Sequence, residues 1–149
     1  MKLLIMLIAI ANQEGGESIK MLEGQAAYYS DGVMERTAVN RGLIDSSREY
    51  EGWLADNGYI GAVALYRDYE FCRSVFIDWG NAVDGPYVAI DVVSSSDYAL
   101  GIERNRVIDV DYDTAKRVGF LDGPVNVRII YSDRNLLDIF SLRGKYVPN

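Results

Sequence analysis

The sequence predicts a single mainly β domain. Three observations carry that reading: a length of 149 residues, a 49% hydrophobic content that falls in short runs, and clusters of Gly, Asn, Asp and Ser between those runs. One core of the commonest domain size is expected at this length. Such a chain buries about 68–70% of its unfolded surface, so it folds without a disulfide framework. Short apolar runs bounded by turn formers read as strands. No internal repeat, low-complexity tract or proline-rich linker interrupts them.

The first eleven residues read MKLLIMLIAIA: one lysine, a nine-residue apolar run, and Ala9-Ile10-Ala11, which has the small-residue pattern of a signal-peptidase site. Two readings stand side by side. A clipped signal peptide would place the protein in the cell envelope or outside the cell. A buried strand over residues 3–10 would instead serve a virion or another assembly. The run is well short of the roughly 20 apolar residues that span a bilayer, so no membrane span is expected.

A polar turn over 12–18 leads to a second short strand over 19–22. Further strands are expected over 24–29, 62–66, 74–79, 87–92, 107–110 and 125–131. Residues 44–61 are the polar exception and read as a long loop or short helix. One short helix is expected over 112–118, between Asp111 as N-cap and Gly119 as C-cap, with Ala115 and Val118 on its apolar face. A second, over 134–142, places Leu136, Leu137, Ile139, Phe140 and Leu142 around a turn behind Asp133. The chain thus divides into an N-terminal segment 1–23, a β domain 24–131 and a C-terminal helix and tail 132–149.

Charge and residue inventory exclude several functions. Lys plus Arg is 15 against 22 Asp plus Glu, a net charge of −7. A net acidic chain opposes binding to nucleic acid or to an anionic membrane surface, both of which need a basic face. There is no histidine, which removes Ser-His-Asp and Cys-His catalysis and HExxH zinc sites. The single cysteine, Cys72, beside Phe71, reads as a small buried hydrophobe and allows neither an intrachain disulfide nor a CxxC site. No metal and no cofactor are expected. Chemistry falls to carboxylates, tyrosines, Lys, Arg and hydroxyls.

Three stretches carry a family resemblance. Ala26-Ala27-Tyr28-Tyr29-Ser30-Asp31-Gly32, followed by Arg36-Thr37-Ala38 and Asn40, is similar to A-S-W/Y-Y-G-x-G…R-T-A-N-G. Tyr87-Val88-Ala89-Ile90-Asp91 resembles a strand that ends in N-D-R-G-P. Arg106-Val107-Ile108-Asp109-Val110-Asp111, with Ala115, Gly119 and Val125-Asn126-Val127-Arg128-Ile129, resembles G-R-I-I-D-L-S…A-A…L-G…V-x-V-x-V. In this order they resemble the double-psi β-barrel domain of rare lipoprotein A (RlpA), a family of septal lytic transglycosylases related in fold to barwin and expansin domains. The resemblance implies a six-stranded double-psi β-barrel with one or two short helices, plus extra segments at both termini. It also implies peptidoglycan or another polysaccharide as partner.

The family's functional positions carry over unevenly. Its histidine column falls on Tyr66, followed by the matching Arg67, and its glutamate falls near Leu43, with Asp45 close by. Asp91 keeps the aspartate of N-D-R-G-P, while Val92-Val93-Ser94-Ser95 replaces the residues after it. Asp109 matches the aspartate of D-L-S, which expansin-like relatives place in their polysaccharide groove. The resemblance thus implies Asp91 as general acid, Asp109 raising its pKa by like charge, and Tyr66 donating a hydrogen bond. Tyr28, Tyr29 and Trp53 are the candidates for stacking on sugar rings.

Each residue also has a plainer structural reading. Asp91 accepts backbone N–H bonds at a strand end, Asp109 holds the crossover before a helix, and Tyr66 is a half-buried strand aromatic. Three functions follow from the two sets of readings. They are a degenerate lytic transglycosylase, a glycan-binding barrel without catalysis, and a structural or assembly protein, such as a phage virion or tail component, that binds other proteins through its termini.

Overall fold

The computed structural model describes residues 19–132. The signal or strand reading of the first eleven residues and the helix expected over 134–142 lie outside the described residues. In chain order the elements are β1 (Ile19–Tyr28), α1 (Val33–Asn40), a 3-10 turn (Ser47–Glu49), α2 (Tyr50–Asp56), β2 (Gly61–Leu65), β3 (Arg73–Asp78), β4 (Val83–Val92), α3 (Ser95–Glu103), β5 (Arg106–Val110), α4 (Tyr112–Val118) and β6 (Val125–Ser132). The fold is mainly β with four short helices among the described residues.

The six strands close into a barrel in the order β1-β5-β2-β4-β3-β6. Pairs β1/β5 and β2/β4 are parallel and the others antiparallel. Advancing every strand by three places (β1 to β4, β2 to β5, β3 to β6) reproduces the same neighbours and directions, so the order has an internal two-fold relation. That mixed order is compatible with a double-psi barrel. Closure leaves no open sheet edge among the described strands.

Alternation along the strands builds two apolar layers. Val63 and Leu65, Val75 and Ile77, Tyr87 and Ala89, Ile108 and Val110, and Ile129 and Tyr131 pack together as the barrel interior. The outward residues Ala62, Val88 and Ile90 are covered by Met34 and Ala38 of α1, Ile44, and Tyr50 and Leu54 of α2. Cys72 sits at the margin of this outer layer and is half-buried rather than fully buried.

The segments expected over 19–22 and 24–29 belong to one strand, because Gly24 is a close-approach position and not a break. A Cβ there would lie 2.5 Å from the carbonyl oxygen of Asn105. α4 forms where its caps predict, with Asp111 accepting from the Thr114 N–H at 3.0 Å and Gly119 at φ 95°. The polar 44–61 segment contains the 3-10 turn, started by a reciprocal Ser46 and Glu49 capping box, and α2 directly after it. α1 and α3 were not expected. α1 buries only Met34 and Ala38, too few apolar positions to show a helical period. None of the helices among the described residues is long and apolar enough to cross a membrane.

Candidate functional site

The ladder register brings the two aspartates singled out by sequence to one level of the barrel wall. Ala64 of β2 pairs with Asp91 of β4 on one side and with Asp109 of β5 on the other. Asp109 in turn pairs with Ala27 of β1. Four neighbouring strands therefore present Ala27, Asp109, Ala64 and Asp91 in a row, with the aspartates two ladder spacings, about 9–10 Å, apart along the backbone. The small side chain of Ala64 leaves room between them.

Asp91 reaches this face through an irregularity in β4. The β2/β4 register shifts between Val63 and Ala64, so that Ala89 and Asp91, not Ala89 and Ile90, face consecutive β2 residues. Ala89 points into the barrel and Ile90 into the outer layer. The extra residue breaks the alternation and turns Asp91 outward as well. Bulges commonly re-aim a side chain in this way beside functional sites.

The result is a cavity of about 330 Å³ lined by Tyr29, Tyr66, Asp91, Val92, Val93, Ser94, Asp97, Leu100, Arg106 and Asp109. Its size suits a small ligand or one unit of a polymer. Asp91, Asp109, Tyr66 and Tyr29 all line it. Tyr28 and Trp53 do not. Tyr28 donates its hydroxyl to the Leu121 carbonyl at 2.7 Å and packs edge-on against Tyr112 and Phe120. Trp53 of α2 packs between the tilted rings of Tyr50 and Tyr59 and lines a separate open cleft with Leu43 and Asp45, where the resemblance would put a glutamate.

The two carboxyl groups are held differently. Asp91 accepts from Tyr29 Oη at 3.0 Å and from Arg41 Nη2 at 2.8 Å, so each of its oxygens carries a hydrogen bond and one carries an ion pair. Asp109 is 9% exposed and accepts from Tyr66 Oη at 3.0 Å. Burial raises the pKa of Asp109, the Tyr66 hydrogen bond and the Arg106 charge oppose that rise, and nearby Asp97 adds to it. The like charge acting on Asp109 is thus Asp97, and burial outweighs it. Both phenols are pushed up, chiefly by burial and by their aspartate partners, and remain donors.

The same contacts bear on the plainer readings of Asp109 and Tyr66. Asp109 receives the Tyr66 hydroxyl, while the capping of α4 belongs to Asp111. Tyr66 is 5% exposed, more buried than a half-covered strand aromatic. Sequence reasoning did not single out Arg41, Asp97 or Arg106 as site residues. Arg106 opens the stretch that resembles G-R-I-I-D-L-S, so that motif was the available signal for it; Arg41 and Asp97 left none.

A second cleft of about 400 Å³ is formed by Glu23, Gly24, Asp78, Gly80, Asn105, Asn126, Val127 and Arg128. It has no aromatic lining; its Glu23 is tied to Arg128 at 2.6 Å and its Asp78 to the Gly80 N–H at 2.9 Å. The Asp109 cavity is therefore the stronger site, because phenols and carboxyls converge there. Comparison with protein-family models, with curated proteins and with solved structures gives no match for this chain.

The raised pKa of Asp109 sets a stability prediction with a definite sign. Its folded-state pKa lies above the unfolded value, so stability is lost as pH rises from the unfolded value through the folded one. Asparagine cannot ionise and keeps an oxygen for Tyr66. Asp109→Asn is therefore expected to raise the urea midpoint at neutral pH, with the gain vanishing below about pH 4, near the unfolded aspartate value. A lower midpoint at neutral pH would show that the folded state favours ionised Asp109.

Proposed function

We propose that this protein is an RlpA-like double-psi barrel that engages cell-wall glycan, peptidoglycan above all, and that the Asp109 cavity cleaves it by general-acid chemistry. The observation that carries the proposal is the register that sets a buried carboxyl, its pKa raised by burial, and an arginine-paired carboxylate over one small cavity. Cleavage of a glycosidic bond asks for that pair: one acid for the leaving oxygen and one negative charge for the oxocarbenium-like centre.

In this reading Tyr66 holds one oxygen of Asp109 while the other carries the proton. As the C–O bond breaks, its electron pair stays on the leaving oxygen and the Asp109 proton moves there. Asp91, held by Tyr29 and Arg41, stabilises the positive charge left on the sugar. A hydroxyl group then captures that centre and returns its proton to Asp109. Tyr66 takes the place of the family's histidine as a neutral donor. The acid role passes from Asp91, expected from the resemblance, to Asp109, because burial acts on Asp109. The reading places the protein in the cell envelope or outside the cell.

One observation favours holding the glycan without cutting it: both Asp91 oxygens are already occupied by protein donors. A zymogram on purified peptidoglycan, run with co-sedimentation on sacculi, separates the two. Wild-type protein is expected to clear the gel and to pellet, and Asp91→Asn to pellet while clearing at least about tenfold less. Equal clearing by both would remove Asp91 from the mechanism. Pelleting without clearing would support the binding reading, and neither would contradict both and leave the assembly role.

A further inference from the structure

α3 is anchored unlike the other helices. From Asp97 to Arg104 every residue is exposed except Gly101, including the large apolar side chains of Tyr98, Leu100 and Ile102. Gly101 lies on the Tyr66 ring: a Cβ built at this position would stand 2.1 Å from Tyr66 Cε1 and 2.7 Å from Cδ1. No side chain fits there unless the ring or the helix moves. A glycine inside a helix is less favourable than alanine, so this one works against α3 locally unless the contact requires it.

The contact joins two walls of the cavity. Asp97 and Leu100 of α3 line it on one side, and Tyr66, Arg106 and Asp109 on another. Tyr66 is buried under α3 and donates to Asp109.

We infer that Gly101 is a positioning residue for Asp109: by carrying no side chain it lets α3 close on the Tyr66 ring, and that closure keeps the Tyr66 hydroxyl on Asp109 and water off it. Its catalytic meaning rests on the proposed general-acid reading, but the contact and its effect on Asp109 do not.

Two measurements on the full chain test this without any glycan. The first is thermal stability. If Gly101 served no contact, Gly101→Ala would stabilise α3 and raise the unfolding midpoint. The inference expects the midpoint to fall, and expects the fall to disappear when Gly101→Ala is combined with Tyr66→Ala, which removes the obstructing ring. A midpoint raised by Gly101→Ala alone would overturn the inference. Should the single variant fail to fold, the double variant decides: recovery of folding supports the contact, and no recovery overturns it.

The second is the titration of the Asp109 carboxyl carbon by NMR. Tyr66→Phe removes a hydrogen bond to the ionised form and is expected to move the midpoint up. Gly101→Ala lifts α3 and admits water, and because burial is the largest influence on Asp109 the midpoint is expected to move down. Ile102→Ala, on the exposed side of the same helix, is expected to leave it in place. An unchanged midpoint in Gly101→Ala, or an equal shift in Ile102→Ala, would overturn the inference. Loss of sacculus clearing in the wild type, with these shifts intact, would defeat the glycan reading alone.

Discussion

Asp109→Asn is expected to lower release of soluble fragments from peptidoglycan by about 10²–10⁴-fold, the usual contribution of a positioned general acid, with co-sedimentation on sacculi unchanged. Asparagine preserves the size of the side chain and an acceptor for Tyr66 Oη, so the cavity survives while the carboxylic acid is removed. The wild-type pH profile should carry the same signature. Burial raises the Asp109 pKa, so activity is present below the raised value and falls as pH rises through it. The same substitution is expected to stabilise the fold at neutral pH. Lower activity with higher stability is the mark of a group held for chemistry, and a structural aspartate would lose both together.

Asp111→Ala is expected to produce the opposite pattern, a loss of about 3 kcal/mol in urea unfolding at neutral pH. Asp111 is buried and accepts from Tyr50 Oη at 2.7 Å, the Ala62 N–H at 3.2 Å and the Thr114 N–H at 3.0 Å. One carboxylate thus ties α2, β2 and the start of α4 together. Alanine leaves a buried phenol and a buried backbone N–H without that acceptor and removes the helix cap, and each deficit costs about 1 kcal/mol or more. Asp111→Asn, which keeps one acceptor oxygen, should lose about half as much. A loss below about 1 kcal/mol for alanine would mean that water replaces the carboxylate, contrary to its burial.

The contrast between Asp109 and Asp111 shows how far the sequence could be read. Position next to the helix marked Asp111 as its cap, but nothing local showed that Asp109, two residues earlier, receives the Tyr66 hydroxyl at a cavity. The strands were legible because short apolar runs, such as those over 62–66 and 125–131, stand between clusters of turn formers. α4 was legible because Asp111 and Gly119 bracket it. Tyr66, Asp91 and Asp109 were singled out through the resemblance.

Other features leave no local trace in the chain. The register shift that turns Asp91 outward depends on β2, more than twenty residues away in sequence. Tyr28 and Tyr29 are neighbours of identical chemistry, yet the first is spent on Leu121 and Phe120 and the second on Asp91. α3 buries a glycine rather than an apolar stripe, so no hydrophobic period announces it. Gly101 acquires meaning only once the Tyr66 ring lies beneath it.

The central claim is that the Asp109 cavity acts on cell-wall glycan, and the most direct test is release of soluble fragments from dye-labelled sacculi by the full chain between pH 4 and pH 8. The account predicts release at the acid end that declines as Asp109 loses its proton, together with protein that pellets with the sacculi. Absence of release at every pH, with the protein remaining in the supernatant, would contradict it.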